Sequence, residues 1–226
     1  HVDAVMKNIA TYEHISPESV GNRRRVLLSD LSGKSNIKFK TKEMGIEEEV
    51  DPEHMKALAR DIKDLEHKGY LYEDAEASFE LLLREKQGKR KQFFELEGYR
   101  LITEQKPNIE PYSEATIKLN VRGKTEHTAA EGDGPVNALD NALRKALLKF
   151  YPNLKKMHLT DYKVRVLDAK ESTKAKVRVH IESTNSKEVY GTVGVSENII
   201  EASWEALVDS ISYHLLKDKS PKKKTK

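Results

Sequence analysis

The sequence predicts an α+β protein in which a helical linker segment precedes a domain of two similar units, each a group of strands followed by a helix. Three observations predict this fold class. Apolar residues recur at helical spacing between residues 51 and 87. From residue 115 onward, short segments alternate apolar and polar residues, as half-buried strands do. Each group of such segments leads into a helical pattern, and strands covered by helices on one side form an α+β sandwich.

Composition narrows the class of protein. The 226 residues suffice for one large domain or two smaller ones, and 34% of them are charged. No apolar run approaches the roughly 20 residues of a membrane helix, and residues 1–10 lack the apolar stretch of a signal peptide. We therefore expect no membrane partner and a cytoplasmic location. The absence of cysteine excludes a disulfide framework and a zinc–thiolate site.

The first predicted division, residues 1–50, is a linker subdomain with a short helix. The chain begins at His1 with residues that read like the inside of a helix, so we expect an excision boundary there. Ser16-Pro17-Glu18 has the pattern of an N-cap followed by proline at the first helical position. His1 and Tyr12 are a conceivable acid/base pair, although a His and a Tyr on a short helix are usually surface or core residues.

A helical hairpin is predicted for the second division, residues 51–106. Asp51-Pro52 caps a helix that His67-Lys68-Gly69 ends, with positive charge in the last turn and glycine after it. A second helix is predicted from about Asp74 to Gln87, with Gly88 closing it. Residues 93–102 then read as extended, with a bulge or turn at a central glycine.

The third predicted division is a domain over residues 107–216, separated by the prolines Pro107 and Pro111. Its helix after residue 136 should turn six apolar residues inward, and residues 217–226 should be a disordered Lys-rich tail. The predicted elements are strands at 115–121 and 125–130, a helix at 136–150, strands at 159–168, 175–182 and 189–195, and a helix at 198–216.

Two polar turns at helix starts are the best candidate ligand sites. Gly132-Asp133-Gly134-Pro135-Val136-Asn137-Ala138 is a glycine-rich turn that exposes backbone N–H groups at the positive end of a helix dipole, which suits a carboxylate. Ser196-Glu197-Asn198-Ile199-Ile200 repeats the arrangement before the last helix. A plain capping turn remains the alternative for both. The histidines are scattered, and none pairs at a metal-ligand spacing.

Three motifs near the start of the chain resemble a known family. They are TYEHI at residues 11–15, VGNRRR at 20–25 and SDLSGKSN at 29–36. Together they closely resemble the segment that follows the catalytic barrel in the citramalate synthase branch of the isopropylmalate/homocitrate synthase family.

Four later motifs extend the resemblance to essentially the whole chain except the Lys-rich tail. DLEHKGY at residues 64–70 and AEASFELL at 75–82 resemble the family's linker helices. GDGPV at 132–136 and IIEAS at 199–203 resemble its C-terminal regulatory domain. Several motifs in the right order make the resemblance specific.

The resemblance implies an acyltransferase in the full-length protein. That enzyme would condense acetyl-CoA with pyruvate and water into (R)-citramalate and CoA, a step toward isoleucine. The catalytic TIM barrel, which would hold a divalent metal, is absent from this chain, so no cofactor is expected here. His1 matches the family's catalytic histidine and Tyr12 the tyrosine that works with it in proton transfer. Without the barrel, the fragment is expected to be inactive.

The resemblance also implies a homodimer that binds isoleucine as a feedback inhibitor at the subunit interface. The turn at residues 132–138 would hold the charged end of the amino acid. Leu159 and Tyr162 fall where the family lines an apolar pocket, and the turn at residues 196–199 would complete the site. Such a pocket distinguishes isoleucine from leucine only weakly.

Two alternatives stay open. The same region of a 2-isopropylmalate synthase would respond to leucine. A protein of another class, a basic nucleic-acid-associated module, would use Arg23-Arg24-Arg25, Lys89-Arg90-Lys91 and the Lys-rich tail. Since 40 basic and 37 acidic residues are interleaved, with a net charge of only +3, we expect no nucleic-acid partner.

Overall fold

A helical segment followed by two βββα units makes up the described part of this computed structural model, which comprises residues 15, 17–20, 41–42, 44, 52–167 and 175–218. Short 3-10 helices lie at Pro17–Val20 and Pro152–Lys156. The other elements are α1 (Pro52–His67), α2 (Glu76–Lys86), β1 (Glu95–Glu104), β2 (Tyr112–Val121), β3 (Lys124–Gly132), α3 (Pro135–Leu147), β4 (His158–Val166), β5 (Val177–Thr184), β6 (Val189–Ser196) and α4 (Ile199–Lys217).

Both helices of the first segment end as their sequences predict. Beyond α1, the amide of Tyr70 donates to the carbonyl of Leu65 and that of Gly69 to Glu66, which is the Schellman arrangement around a left-handed glycine. The same pair of bonds closes α2 at Gly88. Among the described helices, none is both long and apolar enough to cross a membrane.

The first sheet has the order β1-β2-β3, and all neighbouring strands are antiparallel. Alternate residues of β2 are fully buried beneath α3. All six helix residues predicted to point inward are buried, although α3 ends at Leu147 and not near Phe150. Those six residues are Ala138, Leu139, Ala142, Leu143, Ala146 and Leu147.

The boundary predicted near Pro107 and Pro111 differs from the structure. β1, which precedes both prolines, pairs along its length with β2, with a bulge between Leu96 and Gly98. The prolines therefore lie in the loop of a hairpin inside one sheet. A hairpin loop makes no ladder bonds, so it tolerates proline as readily as an interdomain linker does.

The second sheet repeats the first, with strand order β4-β5-β6 and α4 packed on β5 and β6. Val179 and Ile181 of β5 are fully buried under α4, in contact with Ala202, Ala206 and Leu207. The α+β class is confirmed, and the predicted order of two strands in the first unit is corrected to three.

The helical segment is attached to the second unit through α4. The hydroxyl of Tyr70 donates to Glu205 Oε1 at 2.6 Å. Ser78 donates to Asp209 Oδ2 and Arg90 to Asp209 Oδ1, both at 2.7 Å. Burial raises the pKa of both carboxyl groups, that of Asp209 to about 6, and Arg90 opposes the shift at Asp209. The segment that the sequence assigned to a separate subdomain is thus held by charged and polar groups on the last helix.

Asp209→Asn is expected to gain stability relative to the wild type as the pH rises from 5 to 7.5. The carboxyl of folded Asp209 has a pKa of about 6, against 3.8 as its ordinary value, so the folded state holds a proton that the unfolded chain releases. The wild type therefore loses unfolding free energy, on the order of 1 kcal/mol, over this range, and the asparagine variant does not, because its side chain does not titrate. Urea denaturation at the two pH values measures the difference.

The matched control is Asp161→Asn. Hydrogen bonding from Lys163 lowers the pKa of Asp161, so this group is already ionised at pH 5. Its stability difference from the wild type should stay constant between the two pH values. A constant difference for Asp209→Asn would contradict the assignment of a raised pKa.

Candidate functional site

A cavity of about 680 Å³ follows the outer side of α3 from its first residue to its end. The 3-10 helix after α3 and the first half of β4 form the opposite wall. Its lining residues are Gly134, Pro135, Val136, Asn137, Asp140, Asn141, Arg144, Leu148, Leu154, Lys155, Met157, His158, Leu159 and Tyr162.

One end of the cavity is the start of α3. Gly134 is the extended residue before the helix, and Pro135, at the first helical position, has no N–H. The amide of Ala138 donates to the Gly134 carbonyl at 2.9 Å, which is the first bond of the helix. The amides of Val136 and Asn137 therefore have no acceptor within the helix, and the positive end of the helix dipole adds to their attraction for an anion.

The preceding turn is packed against the helix itself. A Cβ added at Gly132 would lie 2.4 Å from the backbone nitrogen of Ala138, so only glycine fits there. The side chain of Asn137 accepts from the amide of Asp133 at 3.3 Å, which fixes the turn from the other side. By contrast, a Cβ added at Gly134 would have no neighbour within 4 Å.

The apolar wall of the cavity faces the start of α3. Leu154 comes from the 3-10 helix, Met157 directly follows that helix, and both are 1% exposed, whereas Leu159 comes from β4. Val136 and Leu148 contribute from α3. The cavity therefore combines backbone N–H groups at one end with an aliphatic wall, and the rest of its lining includes the polar and charged side chains of Asn137, Asp140, Asn141, Arg144, Lys155 and His158. Small-molecule sites combine apolar surface with polar groups in this way.

Tyr162 connects the cavity with α4. Its hydroxyl lies 2.7 Å from Ser203 Oγ, and Ser203 Oγ donates to the Ile199 carbonyl at 2.6 Å. Because the Ser203 proton is used in the second bond, Tyr162 is the donor in the first. The Tyr162 side chain lines the cavity and is 38% exposed. Its hydroxyl, by contrast, is held by a hydrogen bond to the buried Ser203.

An ion pair on α3 was missed by the sequence analysis. Arg144 Nε binds Asp140 Oδ2 at 2.7 Å, and Nη1 donates to the Met157 carbonyl at 2.9 Å, which fastens the helix to the opposite wall. Asp140 Oδ1 and Arg144 Nη2 are buried and accept or donate no hydrogen bond. The sequence carries a signal for this pair, because Asp140 and Arg144 are four residues apart beside the apolar stripe of the helix.

The structure brings together five of the predicted effector residues and not the others. Gly134, Pro135, Val136, Leu159 and Tyr162 line the cavity. Ala138 is fully buried in the core, and Gly132 and Asp133 form the turn that leads into the cavity wall.

Ser196, Asn198 and Ile199 lie outside the cavity lining. Asn198 Oδ1 accepts from the amide of Ile200 at 2.8 Å, and Ser196 Oγ accepts from the amide of Asn198. These are N-cap contacts of α4, which agrees with the alternative prediction that this turn is a plain helix cap. The link to the cavity is indirect and runs from Tyr162 through Ser203 to the Ile199 carbonyl.

The remaining predicted residues and basic runs have these locations. His1 and Tyr12 lie outside the described residues. Within the described part of the chain, no three His, Asp or Glu side chains come together as a metal site. Of the basic runs proposed for nucleic acid, Arg23-Arg24-Arg25 and residues 219–226 of the predicted tail lie outside the described residues, whereas Lys217 ends α4 and binds Glu80. In the described run Lys89-Arg90-Lys91, Arg90 is engaged by Glu85 and Asp209. That engagement weakens the nucleic-acid alternative.

Comparison with known families divides the chain near residue 70. Residues 73–215 match the LeuA allosteric (dimerisation) domain, and residues 1–70 match the homocitrate synthase post-HMGL domain-like family. The first match begins just before α2 and ends within α4, so it includes α2 and β1 with the two sheets.

Individual relatives match nearly the whole chain. It is 55% identical to (R)-citramalate synthase of Aquifex aeolicus over 219 residues, which are 96% of this chain and 42% of the relative. It is 54% identical to (R)-citramalate synthase of Geobacter sulfurreducens, with 96% and 41% covered. A 2-isopropylmalate synthase of Methanocaldococcus jannaschii is 30% identical, with 96% and 40% covered. The chain spans about two fifths of the length of these relatives.

Gly132→Ala is expected to destabilise the chain by about 1 to 3 kcal/mol, because the new methyl group would overlap the backbone of Ala138 and push the turn off the helix. Gly134→Ala is the matched control, since its methyl group would point into open space. The control should change stability by less than about 0.5 kcal/mol. Thermal or urea denaturation of the two variants measures both effects, and equal losses would contradict the close packing of the turn.

Proposed function

This chain belongs to the LeuA allosteric (dimerisation) domain family, and from that premise we propose that it is the isoleucine-binding regulatory region of a citramalate synthase. The observation that carries the proposal is the cavity between α3 and β4, where the helix start predicted to hold a carboxylate meets the apolar residues predicted to hold a side chain. Identities of 54–55% to citramalate synthases, against 30% to a 2-isopropylmalate synthase, favour the citramalate branch.

The charged end of the amino acid is assigned to the start of α3. Its carboxylate would accept from the amides of Val136 and Asn137, which have no acceptor in the helix. The open space beside Gly134 lets a ligand approach that backbone closely. No side-chain cation is needed for this contact, because the helix end supplies partial positive charge.

The aliphatic side chain of the effector is assigned to the wall formed by Leu154, Met157 and Leu159. Burying four carbons against such a wall is worth about 0.8 kcal/mol for each CH₂. Isoleucine and leucine have the same volume and differ only in branching, so shape is the sole basis for selection. Leucine as effector, as in a 2-isopropylmalate synthase, is accordingly the second candidate.

A homodimer is supported by an exposed apolar strip on β4. Val164 and Val166 are 42% and 53% exposed, although they lie opposite Val179 and Val177 on the side of the sheet that α4 covers. The helix shields Val179 completely and contacts Tyr162 of β4, but it leaves Val164 and Val166 exposed. A second copy of the chain is the natural cover, and since Tyr162 belongs to the same strip, the cover would lie beside the effector cavity.

We also propose that the full-length protein has citramalate synthase activity. A barrel outside this chain, with its divalent metal, would condense acetyl-CoA and pyruvate with water to citramalate and CoA. His1 and Tyr12 would approach that barrel as proton-transfer groups. This chain by itself would bind the effector without turnover.

The test is calorimetric titration of the chain with L-isoleucine and L-leucine. We expect a dimer, at twice the chain mass in sedimentation, that binds isoleucine and does not bind alanine, which lacks the apolar side chain. At a concentration one hundredfold above Kd, isoleucine should stabilise the fold by about 2.7 kcal/mol in thermal denaturation. Leu159→Ala should weaken binding about tenfold or more by removing wall contacts.

Val189→Ala is the matched control for Leu159→Ala, because Val189 is 59% exposed and does not line the cavity. Its isoleucine affinity should equal that of the wild type. Binding of leucine alone would assign the chain to the leucine-responsive alternative. A folded dimer that binds neither amino acid would contradict the proposal.

A further inference from the structure

α4 contacts both the effector cavity and the helical segment at residues 70–90. Near its start, buried Ser203 accepts the hydrogen bond of Tyr162, a cavity residue. Two residues farther along, Glu205 accepts from Tyr70 of the helical segment. One rigid helix therefore joins two parts of the molecule that are far apart in sequence.

The contacts with the helical segment form a stripe along α4. Glu205, Asp209 and Lys217 are separated by multiples of four residues, so they lie on one side of the helix. Lys217 binds Glu80, whose carboxylate is almost fully buried, at 2.7 Å. Both carboxylate oxygens of Asp209 accept hydrogen bonds from the helical segment, one from Arg90 and the other from Ser78.

Strand β6 also forms hydrogen bonds with residues of this contact. The amide of Val195 donates to Glu205 Oε2, and the amide of Val193 donates to Ser78 Oγ, both at 3.0 Å. Glu205 thus binds the sheet with one oxygen and Tyr70 with the other. A shift of α4 over the sheet cannot leave these contacts unchanged, because the same carboxylate serves both partners.

The junction between the helical segment and α4 contains free volume. It encloses a cavity of about 350 Å³ beside Tyr70, Tyr72, Arg90, Trp204 and Asp209. Burial raises the pKa of Asp209, which is the mark of a carboxylate incompletely compensated by its partners. Free volume and discrete polar contacts together allow a second arrangement, which a close-packed apolar contact would resist.

We propose that α4 transmits effector binding to the helical segment, with the Tyr162–Ser203 hydrogen bond as input and the contacts of Glu205 and Asp209 with Tyr70, Ser78 and Arg90 as output. The inference rests on the proposed function, because it needs isoleucine to occupy the cavity that Tyr162 borders. A ligand against the phenol ring holds the hydroxyl on Ser203 and so favours the docked position of the segment. Ser203 is a positioning residue in this scheme.

Hydrogen exchange of the whole chain, with and without saturating L-isoleucine, tests the transmission. Amides of residues 70–90 should exchange about fivefold or more slowly with isoleucine, the lower end of typical coupling between sites. In Ser203→Ala, isoleucine should still bind, and the slowing at residues 70–90 should fall below about twofold. Exchange in Tyr112–Val121 serves as the internal reference.

Ser210→Ala is the matched control, because Ser210 is an equally buried serine of α4 whose hydroxyl pairs with Ser183 and not with the cavity or the helical segment. It should retain the full slowing. Equal slowing in the Ser203 and Ser210 variants would overturn the role of Ser203. Unchanged or faster exchange in the wild type, with isoleucine shown to bind by calorimetry, would overturn the transmission and leave the proposed function intact.

Reciprocity supplies a second measurement that does not depend on Ser203. If effector binding favours the docked segment, breaking the Arg90–Asp209 contact must weaken effector binding. Arg90→Gln should raise the isoleucine Kd about threefold or more, and Lys86→Gln, which loses a pair with Asp61 of α1 and no contact with α4, should not. Equal Kd values for Arg90→Gln and the wild type would contradict the scheme. Absence of isoleucine binding to the wild type would refute the proposed function itself.

Discussion

The close packing of α4 on β6 is the contact on which the rest of the structure depends. A Cβ added at Gly194 would lie 2.1 Å from the carbonyl of Ala202, so the helix rests directly on the strand. Ala206 continues the contact one turn later, again with a small side chain. This approach buries one side of the helix in the second sheet. Its other side is left to hold the helical segment, and its first turns reach Tyr162 at the cavity.

The sequence could predict those parts of the fold that short-range patterns determine. The apolar stripe of α3 and the glycine ends of α1 and α2 depend on local spacing, and all three agree with the structure. β1 was separated from its sheet because the pairing of two strands leaves no mark in the sequence, whereas two prolines in the hairpin loop between them resemble an interdomain linker. The polar stripe of α4 was equally hidden, since Glu205 and Asp209 have the spacing of an ordinary solvent-facing side.

For the candidate site, the glycine turn and the two β4 residues, Leu159 and Tyr162, could be predicted from the sequence and its family resemblance. Gly134 and Tyr162 line one cavity, as the family resemblance implied they should lie together. The turn at Ser196 to Ile199 has the same sequence character, yet it caps a helix, because its polar side chains are used by its own backbone. Arg144 and Asp140 were overlooked because an i,i+4 pair is normally a surface feature. This pair lies in the cavity lining because Arg144 also donates to the Met157 carbonyl on the opposite wall, a contact that the sequence does not reveal.

The central claim is that the effector occupies the turn at the start of α3. Its most direct test is an NMR titration with L-isoleucine of the chain labelled with ¹⁵N at its eleven glycines. Gly132 and Gly134 border the assigned carboxylate site, whereas Gly98 and Gly123 lie in the bulge and hairpin turn of the first sheet. The account predicts shifts of the Gly132 and Gly134 amide signals that saturate with the ligand, while the signals of Gly98 and Gly123 stay fixed. Saturating isoleucine that leaves Gly132 and Gly134 unshifted would contradict it.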